Sequence, residues 1–218
     1  MQPERQYFGL NDLDKKMEQF INFDGGFFVE IGANDGVTQS NTLYFERYRG
    51  WRGVLVEPSQ MNFFKCRANR APETKTYCAA CVPFGYAERF VPITYSNLMS
   101  VSELPGSDLP DVGQHLQVSR QFLQPYEDVF TFGAEARTLN DILIHAQAPS
   151  SIDFFSLDVE GVELPVLQGV DHEKFRFKNL LIECRAPQRM NEYLQANGYR
   201  FDQALSQHDY LFRDARAG

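Results

Sequence analysis

No apolar run in this 218-residue chain approaches the ~18 residues that a membrane-crossing helix needs, since even Gly26-Phe27-Phe28-Val29 stops at Glu30. No membrane span is expected. Basic residues are the minority, 21 against 29 acids, for a formal net charge of −8. A sequence-independent grip on phosphate backbones or anionic lipid would have to come from a small local patch, so no nucleic-acid partner is expected. Cysteine is sparse: Cys66, Cys78, Cys81 and Cys184 are too few for a disulfide scaffold in a chain of this length. The stretch Met1 to Gln6 is polar and lacks the apolar centre of a secretory signal. A reduced, cytoplasmic location fits these absences. Repeats and low-complexity tracts are missing too, and 43% hydrophobic with 14% aromatic residues excludes a disordered chain. That is material for one substantial core, so one domain is expected over residues 1–218.

What is present alternates. Leu10, Leu13, Met17, Phe20 and Ile21 recur at spacings of three and four, which predicts an amphipathic helix within a helical N-terminal segment, residues 1–26. Phe27 to Ile31 reads as a buried strand ending in the glycine turn Gly32-Ala33-Asn34-Asp35-Gly36. Ser40 or Asn41 can cap a helix that stops at Gly50. Gly53 to Val56 is a second strand closed by Glu57-Pro58, with a helix starting at Ser59, and a third strand is expected over Lys75 to Val82. Residues 84–130, with Pro105 to Gly113 as pure turn chemistry, are expected to form an irregular excursion on the substrate side. Regularity returns with a capped helix from Thr138, a strand from Ile152 to Leu157 leaving at Asp158-Val159-Glu160-Gly161, and a fifth strand ending at Glu183. Two last strands, from Tyr199 and His208, are joined by Ser206-Gln207, a link too short for anything but an antiparallel pair. The reading is an α/β core over residues 27–213 with a mostly parallel sheet.

Ligands of such sheets bind outside the carboxyl ends of the strands. Four of the five parallel strands deliver acids there: Glu30 and Asp35, Glu57, Asp158 with Glu160, and Glu183. A dinucleotide site needs G-x-G-x-x-G to hold a pyrophosphate, and no such string occurs; the spacing is Gly32-x-x-x-Gly36. Glu30 and Asp35 would repel a pyrophosphate but suit the ammonium and sulfonium of S-adenosylmethionine. Glu57, 25 positions after Gly32, is placed to accept from ribose hydroxyls.

The strings Phe28-Val29-Glu30-Ile31-Gly32-Ala33-Asn34-Asp35-Gly36, Ser40-Asn41-Thr42, Gly50-Trp51-Arg52-Gly53, Glu57-Pro58 and Leu157-Asp158-Val159-Glu160-Gly161 together resemble the FkbM family of S-adenosylmethionine-dependent methyltransferases. The resemblance implies a Rossmann-like class I methyltransferase fold: a seven-stranded sheet with an antiparallel last strand and helices on both faces. It implies methylation of hydroxyls on a saccharide or small natural product. Glu30, Gly32, Asn34, Asp35 and Gly36 would form the cofactor loop, Glu57 the ribose acid, and Asp158 to Gly161 the motif beside the reacting methyl.

A sugar hydroxyl must lose its proton as the new bond forms, which calls for a general base or an acidifying metal. Asp158 is the first candidate for base or metal ligand, with Glu160 and Glu183 as supporting carboxylates and His208 in reserve. Three acid oxygens, Asp158 and Glu183 foremost, would also suit Mg²⁺. Cys78-Ala79-Ala80-Cys81 lacks the second pair that zinc requires and reads as sheet core. His115, His145 and His172 read as solvated or capping residues, and Trp51 as packing at the start of the second strand. Gln114 to Gln124 is either a lid or a helix filling the crossover. A nucleotide-dependent oxidoreductase and a non-catalytic methyltransferase-like binding module are the competing functions.

Overall fold

The structure is a computed structural model that describes residues 5–216; Met1 to Glu4 and the last two residues lie outside it. A short 3-10 turn over Leu10–Asp12 leads into α1 (Leu13–Glu18). Asn11 and Asp12 take positive φ, which confines the helix to a shorter span than its apolar spacing predicts. β1 (Phe27–Ile31), α2 (Leu43–Arg49), β2 (Arg52–Val56), α3 (Gln60–Asn69) and β3 (Lys75–Tyr77) follow. Ser59 caps α3 by accepting from the Asn62 amide, and Gly50 closes α2 in the left-handed region, where a residue without Cβ costs least.

The expected strand from Lys75 to Val82 is in fact two. β3 pairs with β2 only as far as Tyr77, and β4 (Ala80–Val82) joins a different sheet. The excursion is also more regular than its turn residues suggest. It carries β5 (Phe90–Tyr95), β6 (Val101–Ser102) and α4 (Val112–Ser119), and β7 (Phe130–Thr138) closes a four-stranded sheet in the order β4-β7-β5-β6. The chain then runs through α5 (Leu139–Ala146), β8 (Ser151–Leu157), α6 (Glu163–Leu167), β9 (Arg176–Glu183), α7 (Pro187–Ala196), β10 (Tyr199–Ala204) and β11 (Asp209–Asp214).

The main sheet has seven strands in the order β10-β11-β9-β8-β1-β2-β3. β11, the last in the chain, is antiparallel to both neighbours, and the β9, β8, β1, β2, β3 pairings are parallel. This is the arrangement that the resemblance implies, a mostly parallel seven-stranded sheet with an antiparallel last strand. Strand parity divides the core between two faces. Val29, Ile31, Phe155, Leu157 and Leu180 pack with Leu139, Leu143, Leu167 and Leu194 of α5, α6 and α7. Phe28, Leu55, Phe154 and Leu181 pack with Met17, Tyr44, Phe45 and Trp51 on the other. Trp51 sits at the start of the second strand as expected, its indole N–H donating to the Phe23 carbonyl. No helix among the described residues is long and apolar enough to cross a membrane.

Candidate active site

The backbone ladder of the main sheet continues past the strand ends and ties the exits together. The Gly32 and Ala33 amides donate to the Val56 carbonyl at 3.0 and 3.1 Å, and the Asp158 amide donates to the Ile31 carbonyl at 3.2 Å. Above this edge lies a cavity of about 290 Å³. Its floor is Gly32, Ala33 and Asn34; Glu57, Pro58, Ala79 and Cys81 form one end; Asp158, Glu160, Glu183 and Arg185 form the other. Ile93 of β5 provides the roof together with Met99 and Leu104, from the segments flanking β6, and Phe122.

Gly32 has φ +86, and a Cβ there would stand 1.8 Å from the Asp158 carbonyl oxygen, so the β1 and β8 exits touch only because this residue has no side chain. Glu57 is buried; Oε2 accepts from the Asn34 amide at 2.9 Å and Oε1 from the Ser59 amide at 2.8 Å. These bonds orient the carboxylate toward the cavity and favour its charged form. Burial outweighs them, and with the charge of Asp35 it pushes the carboxyl up to about 7.

Two residues of the expected cofactor loop are engaged elsewhere. Glu30 shares strand parity with Phe28, which turns it under the start of α2. There it accepts from the Asn41 amide and the Ser40 and Thr42 hydroxyls, and pairs with Arg70 at 3.4 Å. It touches the cavity wall with both oxygens committed. Asp35 caps its own turn, accepting from the Val37 and Thr38 amides and the Thr38 hydroxyl, and lies outside the cavity lining. Gly36 is outside it as well; a Cβ there would meet Arg70 and Cys66 at 3.0 Å, so this glycine serves packing.

The acids at the opposite end lie together. Asp158, Glu160 and Glu183 each present an oxygen within 4.8 Å of the others. Asp158 is exposed to solvent where it lines the cavity. Crowding by neighbouring protein atoms, then the charges of Glu183 and Glu160, raise its carboxyl above the usual range. Glu160, with φ +54, is pushed up to about 7 by burial and by Glu183. Arg185 was not anticipated. Its Nη2 stands 2.9 Å from Glu160 and 3.3 Å from Glu183, so the cluster carries its own cation. A divalent ion would compete with that guanidinium for Glu160 and Glu183, two of the three carboxylates.

Three of the four histidines depart from expectation. The His208 side chain is exposed and outside the cavity lining, because the tight β10–β11 link turns it to solvent; only its backbone reaches the site's edge, accepting from the Cys184 amide. His115 is buried, with Nε2 3.2 Å from the Met99 carbonyl and 3.6 Å from Glu160. His172 is buried between Tyr193 and Tyr199, where burial drives its ring down to about 4. His145 is on the surface as expected. The four cysteines are free, with Cys81 in the cavity wall and Cys78 half-buried.

The raised acids fix the sign of one pH dependence. Glu57 and Glu160 near 7, and Glu163 near 8 through burial, bind more protons in the folded than in the unfolded chain above the ordinary glutamate value of 4.5. Their contribution to stability is therefore fully present below about 4.5 and is lost as pH rises through about 7 for Glu57 and Glu160 and about 8 for Glu163. His172 acts with the opposite sign but only below 6.5. Thermal melts of the ligand-free protein should fall in midpoint across pH 6.5–8; a rising midpoint would contradict these protonation states.

No curated protein sequence matches the chain. Among solved structures, a candidate RNA methyltransferase from Pyrococcus horikoshii aligns with a TM-score of 0.47 at 10% identity, covering 94% of this chain and 83% of that one. The human methyltransferase 10 domain containing protein aligns with a TM-score of 0.47 at 12% identity, covering 93% and 82%. The profile of the methyltransferase FkbM domain matches residues 30–201, which takes in every strand exit described above, and this chain belongs to that family.

Proposed function

We propose that the protein transfers the methyl group of S-adenosylmethionine to a hydroxyl of a saccharide or other small metabolite. The observation that carries this reading is the two-ended cavity: a backbone-oriented carboxylate, Glu57, at one end and a carboxylate cluster at the other, bridged by the open floor at Gly32. S-adenosylmethionine supplies an electrophilic methyl on a cationic sulfur. Glu57 would accept from the ribose hydroxyls, Pro58 and Ala79 would flank the adenine, and the Gly32 to Asn34 backbone would hold the amino-acid portion. Asp158 would accept the proton of the acceptor hydroxyl, and the roof from Ile93 to Phe122 would exclude water and select the acceptor. With Arg185 inside the cluster, proton removal by Asp158 needs no metal, and turnover should survive a chelator.

The test is incubation with S-adenosylmethionine carrying a labelled methyl and pools of saccharide and small-metabolite acceptors, read by mass spectrometry. A product heavier by one labelled methyl is expected. Binding of S-adenosylhomocysteine with no product from any pool would favour a binding module, and preference for NAD would favour an oxidoreductase.

A further inference from the structure

Residues 105–110, in the loop between β6 and α4, lie across two strand exits at once. The Asp108 amide donates to the Gly161 carbonyl at 2.8 Å, which ties the loop to the exit of β8. The Asp108 carboxylate accepts, through the single oxygen Oδ2, from the Arg185 amide at 2.9 Å and the Ala186 amide at 3.0 Å, which ties it to the exit of β9. α7 starts at Pro187 behind an Ala186 cap with no side-chain acceptor, so these donors are satisfied from 77 and 78 residues away. Fit between the segments is close: a Cβ on Gly161, whose φ is +100, would stand 2.7 Å from Leu109 and 3.0 Å from the Ser107 hydroxyl. Glu163 braces the same exit from within, accepting from the Val159 and Gly161 amides at 3.0 Å.

The two exits joined in this way carry every charged group of the cluster. Asp158 and Glu160 stand on one, Glu183 and Arg185 on the other, and the Arg185 guanidinium spans the gap to Glu160 and Glu183. Asp108 lines no part of the cavity itself. We propose that Asp108 is a positioning residue: by holding the backbone of Arg185 against the Gly161 exit, it fixes where the guanidinium meets Glu160 and Glu183, and so the surroundings of Asp158. This rests on the methyl-transfer reading for its kinetic consequence but not for its geometric one. A displacement near 1 Å of a group beside the reacting atoms costs as much as about 10²-fold in rate, so the latch has leverage over turnover without touching either ligand.

Three substitutions separate positioning from general support. Asp108→Ala removes the acceptor, Asp108→Glu keeps it but adds a methylene between the exits, and Asp108→Asn keeps one carbonyl oxygen able to accept both amides. Turnover should fall about tenfold or more in Asp108→Ala, by a smaller factor in Asp108→Glu, and stay within about twofold of the parent in Asp108→Asn. S-adenosylhomocysteine affinity should be unchanged in all three. Carboxyl ¹³C NMR titration of Glu160 reads the geometry with no acceptor present: its midpoint should move in Asp108→Ala and Asp108→Glu and stay in Asp108→Asn. Parent-like turnover and titration in a folded Asp108→Ala would overturn the proposal. So would S-adenosylhomocysteine affinity falling in step with turnover. If Asp108→Ala does not fold, identical turnover and titration in Asp108→Glu and Asp108→Asn overturns it. If the parent transfers no methyl at all, the functional reading falls and the Glu160 titrations alone decide.

Discussion

Asp158→Asn should lower turnover by ~10²-fold or more while leaving S-adenosylhomocysteine binding within about twofold of the parent. The substitution keeps the shape and hydrogen-bonding reach of the side chain and removes only its ability to take a proton. The backbone around it should not move, because the Asp158 amide is held by Ile31 and its carbonyl rests against Gly32. Crowding by protein and by Glu183 and Glu160 raises the affinity of this carboxylate for a proton. That helps a base once it is ionised and hinders it at low pH, so parent turnover should climb with pH as Asp158 gives up its proton. A bound cation opposes that shift. S-adenosylmethionine, one positive charge richer than S-adenosylhomocysteine at sulfur, should therefore release more protons on binding, which calorimetry in buffers of different ionisation enthalpy can read. Near-parent turnover in Asp158→Asn would remove this residue from the chemistry and leave alignment of the acceptor as the chief source of rate.

Most of the main sheet was legible because its strands carry local signals, the exception being β3, whose end at Tyr77 the apolar run to Val82 conceals. Phe27 to Ile31, Arg52 to Val56 and Ser151 to Leu157 are compact apolar runs that end at glycine or acid, and the Ser206-Gln207 link fixed the sense of the last pair. The second sheet was not legible because its signal is non-local. Phe90 pairs with Glu135 and Ile93 with Phe132, Pro92 interrupts the run in β5, and Gly133 with Glu135 and Arg137 disguises β7. The site divides in the same way. Acids at strand ends could be counted from sequence, and Glu57, Asp158, Glu160 and Glu183 do line the cavity. Their partners could not be counted. Glu30 is absorbed by Arg70, 40 positions later, and His172 is enclosed by tyrosines 21 and 27 positions later. Arg185 had a readable hint, since it follows Glu183 by two residues and so leaves the strand on the same side. Asp108 had none, lying in turn chemistry that says only that the chain changes direction.

Gly32→Ala should abolish tight cofactor binding, and its effect can be divided into two parts by comparison with a second glycine. The first part is conformational: at φ +86 any L side chain is strained, at about 1 kcal/mol. Gly50 shares this burden, with φ +63 and nothing within 4 Å of where a Cβ would stand, so Gly50→Ala should cost about that and no more. The second part is contact. At Gly32 the methyl would stand 1.8 Å from the Asp158 carbonyl oxygen and 3.0 Å from its carbon, and neither backbone is free to retreat. The Gly32 amide is bonded to Val56 on one side and the Asp158 amide to Ile31 on the other, so relief means parting β1 from β8 at their exits. That adds roughly 1–3 kcal/mol of overpacking to the conformational cost. It also moves the cavity floor and the base together. The expected results are a melting midpoint well below that of Gly50→Ala, S-adenosylhomocysteine affinity down at least about tenfold, and turnover lost with it. Gly50→Ala, remote from the cavity lining, should bind the ligand as the parent does. A folded Gly32→Ala protein with parent-like S-adenosylhomocysteine affinity would show that the ligand does not lie over this turn, and the cofactor assignment would fall with it.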